Sequence, residues 1–231
     1  GLPLALAGTA VMGILVERLF FRPIIGQPLF ALVMVTIGLL ILLRGTVLVV
    51  WGPQPRPFPT ILPRPPLELG PFLFNQGLFW GGLLAVVAVA GLSWFFGHTK
   101  WGLQLTAVAE DHQVAQSLGI SVKTAIAVAW AISAVLSAIA AITFLNAKSM
   151  NFLAADIGFR ALPVALLAGV ESVGGVVLAG AILGLAEAWA GAYLDELMGG
   201  GVSSVLPFVL MLLILLARPT GFFGWKTIER V

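Results

Sequence analysis

Residues 124–145 read Thr124-Ala125-Ile126-Ala127-Val128-Ala129-Trp130-Ala131-Ile132-Ser133-Ala134-Val135-Leu136-Ser137-Ala138-Ile139-Ala140-Ala141-Ile142-Thr143-Phe144-Leu145, without one Asp, Glu, Lys or Arg. A helix needs roughly 20 mostly apolar residues to cross the hydrocarbon of a bilayer. This run is long enough. Residues 23–43, 69–99 and 197–217 are charge-free in the same way. A membrane β-barrel would instead show short segments of alternating polarity. Over the 231 residues, 60% are hydrophobic and 10% charged, with a mean hydropathy of +1.07, whereas a soluble domain carries about 25% charged residues. The chain is therefore predicted to be all-α, a polytopic helical membrane protein. The lack of cysteine excludes a disulfide scaffold, and a net charge of +2 argues against a nucleic-acid partner.

Working outward, the first apolar run, Gly1–Val16, is short for a span and opens directly on residue 1. This leads us to expect a fragment of a longer chain. Arg18 and Arg22 then fit a cytoplasmic edge. A span is predicted over about Leu29–Val50, with Arg44 snorkelling near its end. The prolines between residues 52 and 71 predict an extended loop outside the bilayer, since proline breaks helices. Further spans are predicted at about Gln76–Phe96, Ala125–Leu145, Val176–Tyr193 and Ser203–Ala217. The stretch Asn146–Arg160 reads as polar, and Ala161–Val170 is too short to cross alone, so it is predicted to be a half-helix that turns at Gly174-Gly175. Placing residues 17–28, 98–124 and 218–231 in the cytoplasm puts seven of the 12 Lys and Arg there.

Signatures of intrinsic catalysis are missing. Gly97 and Gly102 have P-loop spacing, but Leu103-Gln104 stand where phosphate chemistry needs Lys and Ser or Thr. His98 and His112 lack a metal-binding spacing, and there is no Gly-x-Ser-x-Gly elbow. No catalytic residue, metal or cofactor is predicted. The polar stretch 98–124 predicts one amphipathic helix over Leu105–Leu118. Leu105, Val108, Ala115 and Leu118 lie on one face, with Glu110, Gln113 and Ser117 on another. Gly119 is a natural left-handed stop, and Ser121 suits the cap of the helix that follows. Such a segment is either a solvated connector or a lever for an external motor.

Ala107-Val108-Ala109-Glu110-Asp111, with Ala115 and Leu118-Gly119-Ile120, resembles the cytoplasmic segment of branched-chain amino-acid ABC transporter permeases, specifically the H-type subunit. Glu17-Arg18 to Arg22-Pro23 with Thr36-Ile37-Gly38-Leu39, the glycine-rich stretch 161–188, and Arg218-Pro219-Thr220-Gly221 with Gly224 resemble the same family, in order along the chain. The resemblance implies one permease domain over 1–231, about seven membrane segments including a half-helix, and a plasma (inner) membrane location. Its coupling segment would be 98–124, with Ala109, Glu110, Asp111, Ala115, Leu118, Gly119 and Ile120 the coupling residues. Implied partners are two ABC ATPase subunits, a second permease subunit and a periplasmic or surface substrate-binding protein. The alternative is a secondary transporter or channel for a small solute.

Two roles stay open for Glu110 and Asp111, contact with an ATPase or simple capping near the start of a helix. Glu171 and Glu187 read as the carboxylates in apolar surroundings, which is costly at the bilayer centre. Glu171, beside Gly174 and Gly175, is a candidate for the pathway or for a helix break. Glu187 reads as structural, near a helix end. Gly180 and Gly184, with Ala188 and Ala192, form a small-residue face for helix packing. Trp51, Trp80, Trp94, Trp101 and Trp225 suit interfacial anchors.

Overall fold

The computed structural model describes residues 1–59, 66–69, 72–146, 149–150, 155–169, 172–218 and 220–223. Glu171 and Trp225 lie outside the described residues. Helices dominate: α1 Leu2–Val16, α2 Leu29–Trp51, α3 Gln76–His98, α4 Lys100–Glu110, α5 His112–Ser117, α6 Val122–Leu145, α7 Ile157–Ala168, α8 Gly175–Met198 and α9 Val202–Ala217. Five of the helical segments are long and apolar enough to cross a membrane, and α7 and α9 are shorter apolar helices. Large apolar side chains cover their outsides, including Leu4, Val49, Leu185 and Leu216. Helices that are apolar all round suit a lipid surrounding. The chain divides into two compact units, residues 1–152 and 153–231.

In the first unit, α1 packs along α6, and α6 also meets α3 and α4. The first helical segment does not stop at Val16. It continues through a π-turn, Glu17–Phe21, and a 3-10 turn, Arg22–Ile24, so a single span covers Leu2–Ile24. The sequence reading placed a cytoplasmic edge here. The structure buries Glu17 completely and packs Phe21 against Trp130 of α6, the rings tilted by 33° with centroids 4.4 Å apart. The described residues of the proline-rich stretch form no helix, and some of them form strands. Arg56–Pro57 (β1) pairs antiparallel with Ser149–Met150 (β4), and Pro66–Leu69 (β2) pairs with Phe72–Asn75 (β3). Pro57 sits in a two-residue edge strand and Pro66 opens β2, places where a missing N–H is tolerated.

In the second unit, α7, α8 and α9 pack on one another around Leu167, Ala168, Ala179 and Leu183. α7 begins at Ile157, inside the stretch read as polar. One Arg among Ile157, Gly158 and Phe159 does not prevent a helical turn when its charge finds a partner. Pro163 lies within α7 and is buried. The chain beyond α9 returns to α7. The Phe222 and Phe223 amides donate to the carbonyls of Leu167 (2.7 Å) and Ala168 (3.2 Å). These carbonyls are among the last of α7, which lack partners inside the helix. At the other end of the unit, Asp195 near the end of α8 accepts from the Ser203 amide at 3.0 Å and so helps to cap α9.

Candidate functional site

The connector between α3 and α6 is built from caps. Thr99 accepts the Gly102 amide at 3.0 Å and donates to the Phe95 carbonyl at 2.7 Å, which turns the chain sharply from α3 into α4. The turn is tight enough that a Cβ on Gly102 would collide with the Phe95 carbonyl and the Phe96 backbone. The single helix expected over Leu105–Leu118 is two helices. They break at Asp111, whose backbone is extended (φ −153°, ψ 117°) and whose carboxylate accepts the amides of Gln113 (2.7 Å) and Val114 (3.1 Å). A short acid at this point competes for backbone donors better than it propagates a helix. Those two amide bonds, Val114 first, hold the Asp111 carboxyl below the ordinary Asp value, with a smaller contribution from His112. Glu110 is therefore the last residue of α4 and Asp111 the cap of α5. Of the expected pair, only Asp111 sits at a helix start.

The break changes which face each later residue presents. Leu105, Val108 and Ala115 are buried with Val122 and Ala125 of α6, as the apolar spacing predicts. Leu118 was expected on that face, but it is 71% exposed, because the interruption at Asp111 resets the helical phase. Val114 and Leu103 are exposed as well. Ala115, Gly119 and Ile120 come together in a left-handed stop. Gly119 has φ +79°, its amide donates to the Gln116 carbonyl at 2.9 Å, and the Ile120 amide donates to the Ala115 carbonyl at 3.0 Å. This pair of bonds is the Schellman arrangement, and Ile120 packs on the same apolar cluster. Ser121 then caps α6 through the Thr124 amide. The result is a platform fixed to the end of α6. Its outer edge, Ala109, Glu110, Asp111, His112, Gln113 and Val114, faces outward together with Leu118.

The second group of candidates lies in the other unit. Gly174 precedes α8, and Gly175 is buried at its first position. A Cβ at Gly175 would meet Phe223, the Ser172 hydroxyl and the Ala168 carbonyl within 3.1 Å, so glycine is needed for the close turn between α7 and α8. Gly180 passes Val164 of α7, where an added Cβ would lie at 3.6 Å. Gly184, Ala188 and Ala192 are exposed within the unit, and an added Cβ at Gly184 would meet nothing within 4 Å. Glu187 is not near a helix end. It is the thirteenth of the 24 residues of α8 and accepts a hydrogen bond from Arg160 of α7 at 2.8 Å.

Two features escaped the sequence reading. One is Glu17, which is a third carboxylate in apolar surroundings, bonded to Arg22 at 3.2 and 3.3 Å. The other is Arg160 as the partner of Glu187. The five-residue spacing of Glu17 and Arg22 was visible, but it signals contact only if a π-turn is assumed. Among the described residues no group of three His, Asp or Glu side chains is placed to hold a metal.

Comparison with known proteins gives a consistent picture. A sequence model of the family described as "Branched-chain amino acid transport system / permease component" matches residues 1–215. The high-affinity branched-chain amino acid transport system permease protein BraD of Pseudomonas aeruginosa is 30% identical over 239 residues, covering 96% of this chain and 73% of that protein. The corresponding LivH proteins of Salmonella typhimurium and Escherichia coli K12 are each 28% identical over 226 residues, covering 94% of this chain and 71% of theirs. No solved structure matches.

Proposed function

Because this chain belongs to the family of permease components of branched-chain amino acid transport systems, we propose that it carries a branched-chain or related amino acid inward across the plasma membrane. The chain is a multi-pass membrane permease subunit of an ATP-binding-cassette system, and such a system implies ATPase and binding-protein partners. In our reading the importer has two ATPase subunits, one of which grips the platform of α4 and α5, a second permease subunit completes the pathway, and a periplasmic or surface binding protein delivers the cargo. The permease performs no bond chemistry of its own. Residues 1–231 act as one permease domain.

The observation that carries this reading is the fixing of the platform to α6. Leu105, Val108 and Ala115 are buried against Val122 and Ala125, while Glu110, Asp111 and Leu118 are left outward. A lever must be stiff where it joins the span and open where it is gripped. Exposed Val114 and Leu118 give a partner apolar area to cover, and the acids give it charge to match. ATP binding in the partners would then bias a two-state equilibrium of the spans.

The test is ATP-driven uptake by the complete importer in proteoliposomes, with wild type against Glu110→Lys and Leu118→Glu. Both variants are expected to fold, to lose ATPase co-purification and to lose uptake. Full retention of both properties would overturn the coupling role. Accumulation driven by an ion gradient without ATP would overturn the importer reading itself.

A further inference from the structure

Arg160 and Glu187 form an exposed charge pair in the second unit, and its position is unusual. α8 has 24 residues, about 36 Å, whereas α7 has 12, about 18 Å. α7 therefore covers only part of α8. The buried stripe of α8 runs Gly175, Ala179, Leu183 and on to Ala190, at helical spacing, and Glu187 falls on that same stripe. Arg160 stands in the first turn of α7. The pair thus marks the level, half-way along a membrane-spanning helix, at which α7 begins.

The side chains are not sealed there. Arg160 is 53% exposed and Glu187 29%. Charges at this depth are too costly to face lipid, so they face water or protein. Their bond is also incomplete. One guanidinium nitrogen meets one carboxylate oxygen, Nη1 to Oε1 at 2.8 Å. The other guanidinium N–H groups and Oε2 have no partner among the described residues. A guanidinium offers five donors in a planar fork suited to a carboxylate, and a carboxylate accepts readily from an ammonium.

We propose that Arg160 and Glu187 form a binding station for a zwitterionic amino acid within the membrane. Arg160 takes the substrate carboxylate and Glu187 its ammonium. The inference rests on the importer reading above and deepens it. A zwitterion reaching the pair satisfies the spare donors and the spare acceptor at once. The resting ion pair keeps both charges compensated when the station is empty, and on departure of the substrate the two side chains close on each other again. An uncharged solute lacks both ends of this recognition.

The experiment uses the complete importer with its binding protein in ATP-loaded proteoliposomes and radiolabelled leucine as probe. Arg160→Gln and Glu187→Gln are each expected to lower the maximal uptake rate about tenfold, as loss of a charge-assisted bond does. The concentration of loaded binding protein giving half-maximal rate is expected to stay as in wild type. The exchanged pair, Arg160→Glu with Glu187→Arg, restores an ion pair but reverses the station, so uptake is expected to stay low. Wild-type uptake in either single variant, or recovery in the exchanged pair, would overturn the proposal and make the pair a clamp between α7 and α8. Arg160→Lys covers the case of poor assembly. It keeps the charge but loses the fork, so slowed uptake supports the station and an unchanged rate overturns it. A wild-type importer that accumulates no branched-chain amino acid, while moving another class of solute, would remove the importer's amino-acid reading, and the station with it.

Discussion

The two Arg–Glu pairs of this permease are built in opposite ways. Glu17 and Arg22 are five residues apart, joined by two contacts of 3.2 and 3.3 Å, with the carboxylate fully buried. Arg160 and Glu187 are 27 residues apart, joined by one bond of 2.8 Å, with both side chains partly open. Five residues span more than one turn of an α-helix and would leave the first pair on different sides. The π-turn over Glu17–Phe21 removes that offset, and the Arg22 amide donates to the Glu17 carbonyl. The first pair is therefore local and closed, wedged beside the contact of Phe21 in the π-turn with Trp130 of α6. The second depends on the packing of two helices and keeps unused bonding capacity. A closed local pair holds structure, whereas an open distant pair is available to a third party.

The largest expected effect breaks the closed pair. Glu17→Ala strips Arg22 of its partner and leaves a void beside α6. Breaking a buried pair costs 3–5 kcal/mol, and because Arg22 is about a third exposed we expect the lower end, about 3 kcal/mol. Melting of the purified permease in detergent should fall accordingly, while uptake per folded importer stays at the wild-type level. The reverse pattern, intact melting with lost uptake, would place Glu17 on the substrate route and erase the contrast with Arg160–Glu187.

Much of this was legible in the sequence, for identifiable reasons. Continuous apolar runs revealed the spans, since membrane helices must satisfy their backbones internally whatever their neighbours. Gly119 and Ser121 announced a stop and a cap because both are made by residues close in the chain. The break at Asp111 was not legible, since Asp–His–Gln–Val also suits a continuous polar helix face, and only the competing carboxylate bonds decide the matter. Arg160 could not be matched to Glu187 without knowing how α7 folds along α8. The role of the C-terminal Thr220-Gly221-Phe222-Phe223 in closing α7 is likewise a long-range fact.

A smaller effect sharpens the comparison from the open side. Gly221 has φ +73°, and a Cβ there would lie 2.6 Å from the Leu166 carbonyl and 2.9 Å from that of Leu167. Both are backbone atoms with little room to yield. Gly221→Ala should therefore disturb the closure of α7 and cost about 2 kcal/mol, the middle of the range for overpacked sites. Since α7 carries Arg160, melting and uptake should fall together. Lost stability with full uptake would mean that the station tolerates a displaced α7, and the claim that its geometry depends on helix packing would fail.

Asp111 completes the series as a carboxylate held by backbone amides, with His112 a minor contributor, and it gives the smallest effect. Its bonds to Val114 and Gln113 lower its pKa in the folded protein. A depressed acid stabilises the fold above its unfolded pKa, and that contribution is lost as the pH falls through the lower folded value. The loss is therefore confined to acid below the ordinary Asp value of 3.8, and α5 is unaffected at neutral pH. Hydrogen exchange at the Gln113 and Val114 amides, corrected for the intrinsic rate at each pH, reads this directly. Protection should decline in wild type over that acid range but stay level in Asp111→Asn, whose amide oxygen accepts the same bonds without titrating. Equal decline in both proteins would mean that the cap does not hold α5, and that burial of Ala115 alone sets the break between the two platform helices.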